Sequence, residues 1–382
     1  MNRLGQIVII IILLILNVPW LSDMIGLKEP HPLHGESTKL DMPDLSAKSF
    51  WTGDLQHGID EYFRTNFLLR GLAIRTRNQL DYTLFGLTHA RSVLVGKEGY
   101  LFEENYINAA LGIDDVSEHK VSERIVDLES FADSLDIPIF IVLAPGKASY
   151  YMQFIPDVYF SSDSIIPNKS YNLWSKHIQN SKSLNLIDLH SHFNYKEDVF
   201  PKNGIHWCEW AQVEAFNVIN DSLASRLPED IKPAMFVIDS TYRSSTMEGT
   251  DEDIERGLNL WQNIEDIETT YYKTSWEERD NLSKPRVLIV GDSYAWGVVN
   301  RGILRHSYTE GEFWYYNQVV HGPKYLGTED FGGQPLEVHD VHNNSELITA
   351  LNEFDAIILL STDANLSRFP FNFPPNNFNE QQ

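Results

Sequence analysis

Ser293 is the residue whose setting most resembles that of a nucleophile. It follows Gly291-Asp292, precedes Tyr294, and comes directly after the apolar run Val287, Leu288, Ile289, Val290. A short β-branched run of this kind predicts a strand buried on both faces of a parallel sheet, here residues 286–290. Gly291 permits a tight turn at its end. A serine just past that turn sits at the carboxyl edge of the sheet, where open α/β sheets bind ligands. If a helix starts near Ser293, its first amides can donate to a developing oxyanion. The structural alternative is a plain strand-to-helix turn, with Asp292 or Ser293 as the cap. A serine also needs a base to take its proton. Of the 13 histidines, His206 stands out, in the loop Pro201-Lys202-Asn203-Gly204-Ile205-His206-Trp207 that feeds a helix. Cys208 lies two residues further on. On a helix the two side chains would point about 200° apart, so Cys208 reads as a small buried thiol.

The elements that would position these residues alternate between strand and helix. Strands are expected at 137–143, 184–189, 286–290, 313–316 and 356–361, and helices at 117–135, 168–182, 208–225 and 343–353. A hairpin is expected over 92–102. This pattern predicts a doubly wound, mostly parallel α/β sheet flanked by helices. Residues 57–86 carry apolar positions at helical spacing and predict a helix or helix pair ended by Gly86. Residues 28–56 read as a linker, 228–284 as an acidic insertion beside the site, and the tail from Phe369 as irregular or pinned to the surface. The domain assignment is therefore 1–27 as anchor or signal, 28–90 as linker and helices, 91–368 as the catalytic domain, and 369–382 as tail.

With 54 acidic against 30 basic residues and a net charge of −24, nucleic acid is excluded as a partner. The single cysteine excludes an internal disulfide and a Cys-rich metal site. His31-x-x-His34 and His339-x-x-His342 lie in polar stretches without a companion carboxylate at ligand spacing, so no metal is expected. Residues 7–16 are uninterruptedly apolar and follow Arg3. That predicts a single-pass anchor with the N-terminus in the cytoplasm, with a cleaved signal as the alternative.

Five segments in order carry a family resemblance: YFRTNFLLR, the hairpin GKEGYLF, APGKASYY, the His206-Trp207 pair and Gly291-Asp292-Ser293. Together they resemble the alginate O-acetyltransferase-like (AlgX/AlgJ-like) branch of the SGNH hydrolase superfamily. The resemblance implies an SGNH-like fold and an envelope protein working in the periplasm from the inner membrane. It implies transfer of acetyl groups to a polysaccharide through an acyl-Ser293, with His206 as base and no cofactor. It also implies an acetyl donor supplied by a membrane-bound acyltransferase. Lys147, at the end of a predicted strand, would meet an anionic or polar substrate or be a solvated lysine. Tyr294 and Arg301 would line the pocket or simply pack. Esterase activity and a non-catalytic glycan-binding scaffold are the rival readings.

The chain departs from the family's Asp-x-His-Trp at one point, where Gly204 occupies the Asp position. Either a carboxylate distant in the chain orients His206, with Asp188 and Asp292 as candidates, or Asn203 or a backbone carbonyl does, or the site is slow or dead. On this reading Gly204→Asp should raise activity, if the loop accepts a side chain.

Overall fold

Strand β7 (Val287–Gly291) is buried along its whole length, as the unbroken apolar run requires. It lies in a sheet with β3 (Ile139–Ala144), β4 (Leu184–Asp188), β8 (Glu312–Tyr315), β9 (Val319–His321), β10 (Leu336–Glu337) and β11 (Ala356–Thr362), in the order β10-β9-β8-β7-β11-β3-β4. The five strands from β8 to β4 in that order run parallel, and β9 and β10 add an antiparallel edge. The computed structural model describes residues 3–27, 30–35, 40–114, 116–161, 165–264, 268–277, 282–322, 336–338 and 347–374. Within them the fold is α/β, with a mostly parallel sheet flanked by helices.

The chain divides into two compact units, residues 1–91 with 255–264, and residues 92–254 with 265–382. The second holds the sheet. The parallel path from β3 leads outward to β4, whereas the path from β7 leads the other way to β8, and β11 lies between β3 and β7. The carboxyl ends of β3, β11 and β7 therefore lie side by side at the point where strand order reverses. Helices Glu118–Asp133 and Lys169–Gln179 cover one face through Val121, Ile125, Leu128, Trp174 and Ile178. Ser117 caps the first of these by accepting from Lys120 N–H. The hairpin β1 (Val93–Val95) with β2 (Leu101–Glu103) forms as expected from residues 92–102.

Two parts of this unit differ from the sequence reading. The acidic stretch contains an antiparallel ribbon, β5 (Phe236–Ser244) with β6 (Thr269–Trp276). Most of β5 is exposed, so it lacks the alternating apolar pattern that would mark it. Phe369, Phe371 and Phe373 of the tail are buried in the sheet's core cluster, with Phe373 edge-on to Phe131. Burial of three large rings makes that segment core and not a surface strap. The C-terminal helix is described over Leu347–Leu351 only, and residues 343–346 of the expected helix and 375–382 of the tail lie outside the described residues.

In the first unit, helices Asp54–Asn66 and Arg70–Phe85 form the expected pair. Gly86 ends the second in the left-handed region (φ 63°), which favours glycine. Asn78 and Arg75 donate to the carbonyls of Leu258 and Leu260 at 2.8 Å each. Leu72, Leu80 and Leu84 are exposed, so the apolar stripe predicted for this helix is not a core face. The N-terminal helix spans Arg3–Met24, with Ile7–Ile10 and Ile12–Leu14 exposed. The side chains of Leu4, Ile11, Ile15, Leu16 and 18–23 lie outside the description. Among the described residues no helix is long and apolar enough to cross a membrane.

Candidate active site

Ser293 opens a short 3-10 turn, Ser293–Trp296, directly after β7. Asp292 holds that turn in place and is buried completely. Its Oδ1 accepts from Tyr294 N–H at 3.0 Å, and its Oδ2 accepts from Thr362 N–H at 2.8 Å, Thr362 Oγ1 at 2.9 Å and Asn365 Nδ2 at 2.9 Å. Burial raises the Asp292 carboxyl above the usual carboxylate range, and these donors offset only part of the rise. The cap reading of Asp292 is thus correct, and Ser293 stands beside it as the half-buried member of the motif. Asp292 ties β7 to β11 and has no hydrogen bond to His206. Gly291 is needed because a Cβ there would meet Ala295 Cβ at 3.0 Å and Leu360 O at 3.1 Å.

His206 Nε2 lies 2.9 Å from Ser293 Oγ. Its Nδ1 donates to Asp253 Oδ2, whose Oδ1 accepts from Ile205 N–H at 2.8 Å. A serine, an imidazole and a carboxylate are therefore linked in series. Asp253 fixes the tautomer in which Nε2 is free to accept the serine proton.

The orienting group is a carboxylate distant in the chain, one of the sequence alternatives, but it is none of the residues named there. Asp188 does not reach His206: it accepts from Tyr171 Oη at 3.0 Å and from the Ser191 backbone and hydroxyl. Asn203 does not bind it either: it is buried, and its Oδ1 has no hydrogen-bond partner. The carboxylate comes from the acidic stretch, 47 residues beyond His206 in the chain. Gly204 shows why. A Cβ on Gly204 would lie 2.6 Å from Thr250 O and 2.9 Å from Asp251 O. The backbone of 250–251 occupies the space where the Asp of Asp-x-His-Trp would project, and the same segment brings Asp253 to the imidazole. The missing carboxylate and its replacement thus have one cause. Gly204→Asp is accordingly expected to lower folded yield and activity, not to raise them, because two backbone oxygens cannot move aside cheaply. Esterase assay of the purified variant checks this, and a rise in rate overturns it.

Lys147 also departs from both of its sequence readings. It is fully buried and donates from Nζ to Lys202 O at 2.8 Å and Gly204 O at 2.7 Å. It clamps the loop that presents His206 and cannot meet a substrate directly. Burial lowers its pKa to about 7, and the Asp253 charge opposes that. Tyr294 is buried and donates to Ile205 O at 2.7 Å, so it too supports the His206 loop. Arg301 pairs with Glu209, and burial lowers its pKa to about 10. Cys208 is buried, with its thiol pushed well up by desolvation. Glu103, unmarked in the sequence, lies near the site: its carboxyl is raised by burial first and by Asp253 next. Among the described residues no group of three or more His, Cys, Asp or Glu is placed to hold a metal, and His339 and His342 lie outside them.

The class defined by fold and site is an α/β protein with a Ser-His-Asp arrangement at the carboxyl edge of a parallel sheet. No protein-family model and no curated protein matches the chain. Solved structures that it resembles include the O-acetyltransferase domain of Pseudomonas putida AlgJ, at 15% identity over 72% of this chain and 92% of that one, with a TM-score of 0.43. They also include Bacillus cereus PatB1 with a sulfonyl adduct, at 13% identity over 74% and 97%, with a TM-score of 0.44. A third is Pseudomonas aeruginosa AlgX, at 12% identity over 72% and 66%, with a TM-score of 0.40.

Proposed function

We propose that this protein is an acyl-transfer enzyme of the Ser-His-Asp type that moves acetyl groups onto a cell-envelope or exported polysaccharide. The observation that carries the proposal is the 2.9 Å contact between His206 Nε2 and Ser293 Oγ, with Asp253 on the other ring nitrogen. Polysaccharide as acceptor rests on the motif resemblance to AlgX/AlgJ-like proteins. The geometry weighs against a non-catalytic scaffold, which has no need of a tautomer-fixing carboxylate.

In the first half-reaction Ser293 Oγ attacks the acetyl carbonyl as its proton passes to His206 Nε2. The imidazolium is stabilised by Asp253 and returns the proton to the leaving group. In the second, a sugar hydroxyl gives its proton to His206 and attacks the acetyl-Ser293 carbonyl, and Ser293 Oγ leaves with that proton. The Ser293 amide heads the turn and is the geometric candidate for an oxyanion donor. In this reading the donor comes from a membrane-bound acyltransferase. In the same reading the apolar run of residues 7–16, preceded by Arg3, anchors the chain in the inner membrane with the catalytic unit in the periplasm. Fractionation tests the anchor: a full-length chain recovered in the soluble fraction argues against it.

A sulfonyl fluoride tests the central claim. Mass mapping after treatment should show one adduct, on Ser293, and none in Ser293→Ala. An acetyl group from an activated ester should appear at the same site and pass to an oligosaccharide acceptor. Labelling elsewhere, with Ser293 unmodified, would remove the mechanism. Labelled Ser293 with water as the only acceptor would leave an esterase.

A further inference from the structure

A cavity of about 360 Å³ opens at the carboxyl ends of β3 and β4, on the same sheet edge as Ser293, and none of its lining residues belongs to the triad. We propose that it binds an uncharged sugar unit of the acceptor glycan, remote from the unit that is acetylated. The inference rests on the acyl-transfer reading for its position in the reaction, but the binding it describes does not.

Three observations carry it. Among the described residues the lining contains no Lys, Arg, Asp or Glu side chain, and is built from tyrosine rings with Ser149, Gln153, Asn168, His190 and Asn194. Hydroxyls and amides beside aromatic faces suit a ligand rich in hydroxyls, and nothing there balances a carboxylate or phosphate. A chain of net charge −24 further disfavours a polyanion.

Second, the polar capacity of the wall is not used up internally. Ser149 Oγ and Asn168 Oδ1 both lack a hydrogen-bond partner and are closed off from water, a cost that rotation of these side chains toward a ligand hydroxyl would relieve. His190 is fixed for the same task. Its Nε2–H donates to Asp363 Oδ1 at 2.6 Å, and its ring stacks on Tyr171 with centroids 3.7 Å apart.

Third, the placement fits an extended chain. In the order β7-β11-β3-β4 the cavity lies up to three strand spacings from Ser293, about 14 Å. That is further than a single ring reaches, so the cavity and the acyl-serine would engage different units of one glycan. Asp363 connects the two regions: its Oδ2 accepts from Gly146 N–H at 2.8 Å, next to the clamp residue Lys147.

Calorimetric titration of the full-length protein with cellohexaose, xylohexaose and a mannuronate hexamer tests the proposal. At least one neutral hexamer should bind at least tenfold more tightly than the anionic one. Ser149→Ala/Asn168→Gly should weaken it tenfold or more with the melting temperature kept; glycine tolerates the φ of 53° at position 168. Equal binding by variant and wild type, preference for the mannuronate hexamer, or no binding of either neutral hexamer overturns it. Titration needs no turnover. An inert Ser293 would therefore sink the acyl-transfer reading and leave the cavity's ligand to be judged on its own.

Discussion

Asp253→Asn is expected to cut turnover of a small acetyl ester by about 10⁴, the scale seen when the carboxylate of such a triad becomes an amide. The reason is the tautomer. Asp253 Oδ2 accepts from His206 Nδ1–H, so Nε2 presents its lone pair to Ser293. An amide whose nitrogen faces Nδ1 stabilises the opposite tautomer, with the proton on Nε2, where it cannot accept from the serine. Its oxygen can still accept from Ile205 N–H, as Asp253 Oδ1 does now, so the loop should hold its shape. Circular dichroism should match wild type while the rate collapses. Asp188→Asn is the comparison. That carboxylate is bound to Tyr171 and Ser191, away from the imidazole, and its loss should change the rate by less than about threefold. A fall of under tenfold for Asp253→Asn, or a larger fall for Asp188→Asn, would remove Asp253 from the triad.

The difference between Asp253 and its partners marks how far the sequence could be read. Ser293 and His206 announce themselves locally, the one after a buried strand and a glycine turn, the other in a loop that opens a helix. Signals of that kind depend on neighbours in the chain. Asp253 is one of 54 acidic residues, and its value comes from a tertiary contact across 47 positions that no spacing rule encodes. The one local trace was the glycine at 204. It was visible as a missing side chain, but only packing shows that a backbone fills its place. The central strands were legible for the same reason as Ser293, since burial on both faces demands long apolar runs such as Ile139–Ala144. The ribbon β5–β6 was not, because solvent lies along most of β5 and leaves its pattern polar. Lys147 was read in the wrong sense. A lysine after a strand looks solvated until the loop that covers it is known.

That buried lysine gives the second large effect. Lys147→Met removes both hydrogen bonds to the His206 loop, at Lys202 O and Gly204 O, while keeping much of the side-chain volume. Near pH 7 net stability should change little, because loss of the two bonds is offset by relief of a partly charged amine's desolvation. Activity should not escape. A shift of about 1 Å in a catalytic group can cost on the order of 10² in rate, and this loop carries the base. The pH dependence separates the clamp from a general packing effect. Burial depresses the folded pKa of Lys147 to about 7 from an ordinary 10.5. Between those values the unfolded chain holds a proton that the folded chain has released, so stability rises with pH across that window. Below pH 7 both states are protonated and the full penalty of the buried charge is present. Wild type should therefore gain about 2 kcal/mol over Lys147→Met between pH 7 and pH 9, read from urea unfolding. Parallel stability curves for the two proteins over that range would mean that Lys147 keeps an ordinary pKa in its site. An esterase rate within threefold of wild type would show that the His206 loop holds its position without the clamp.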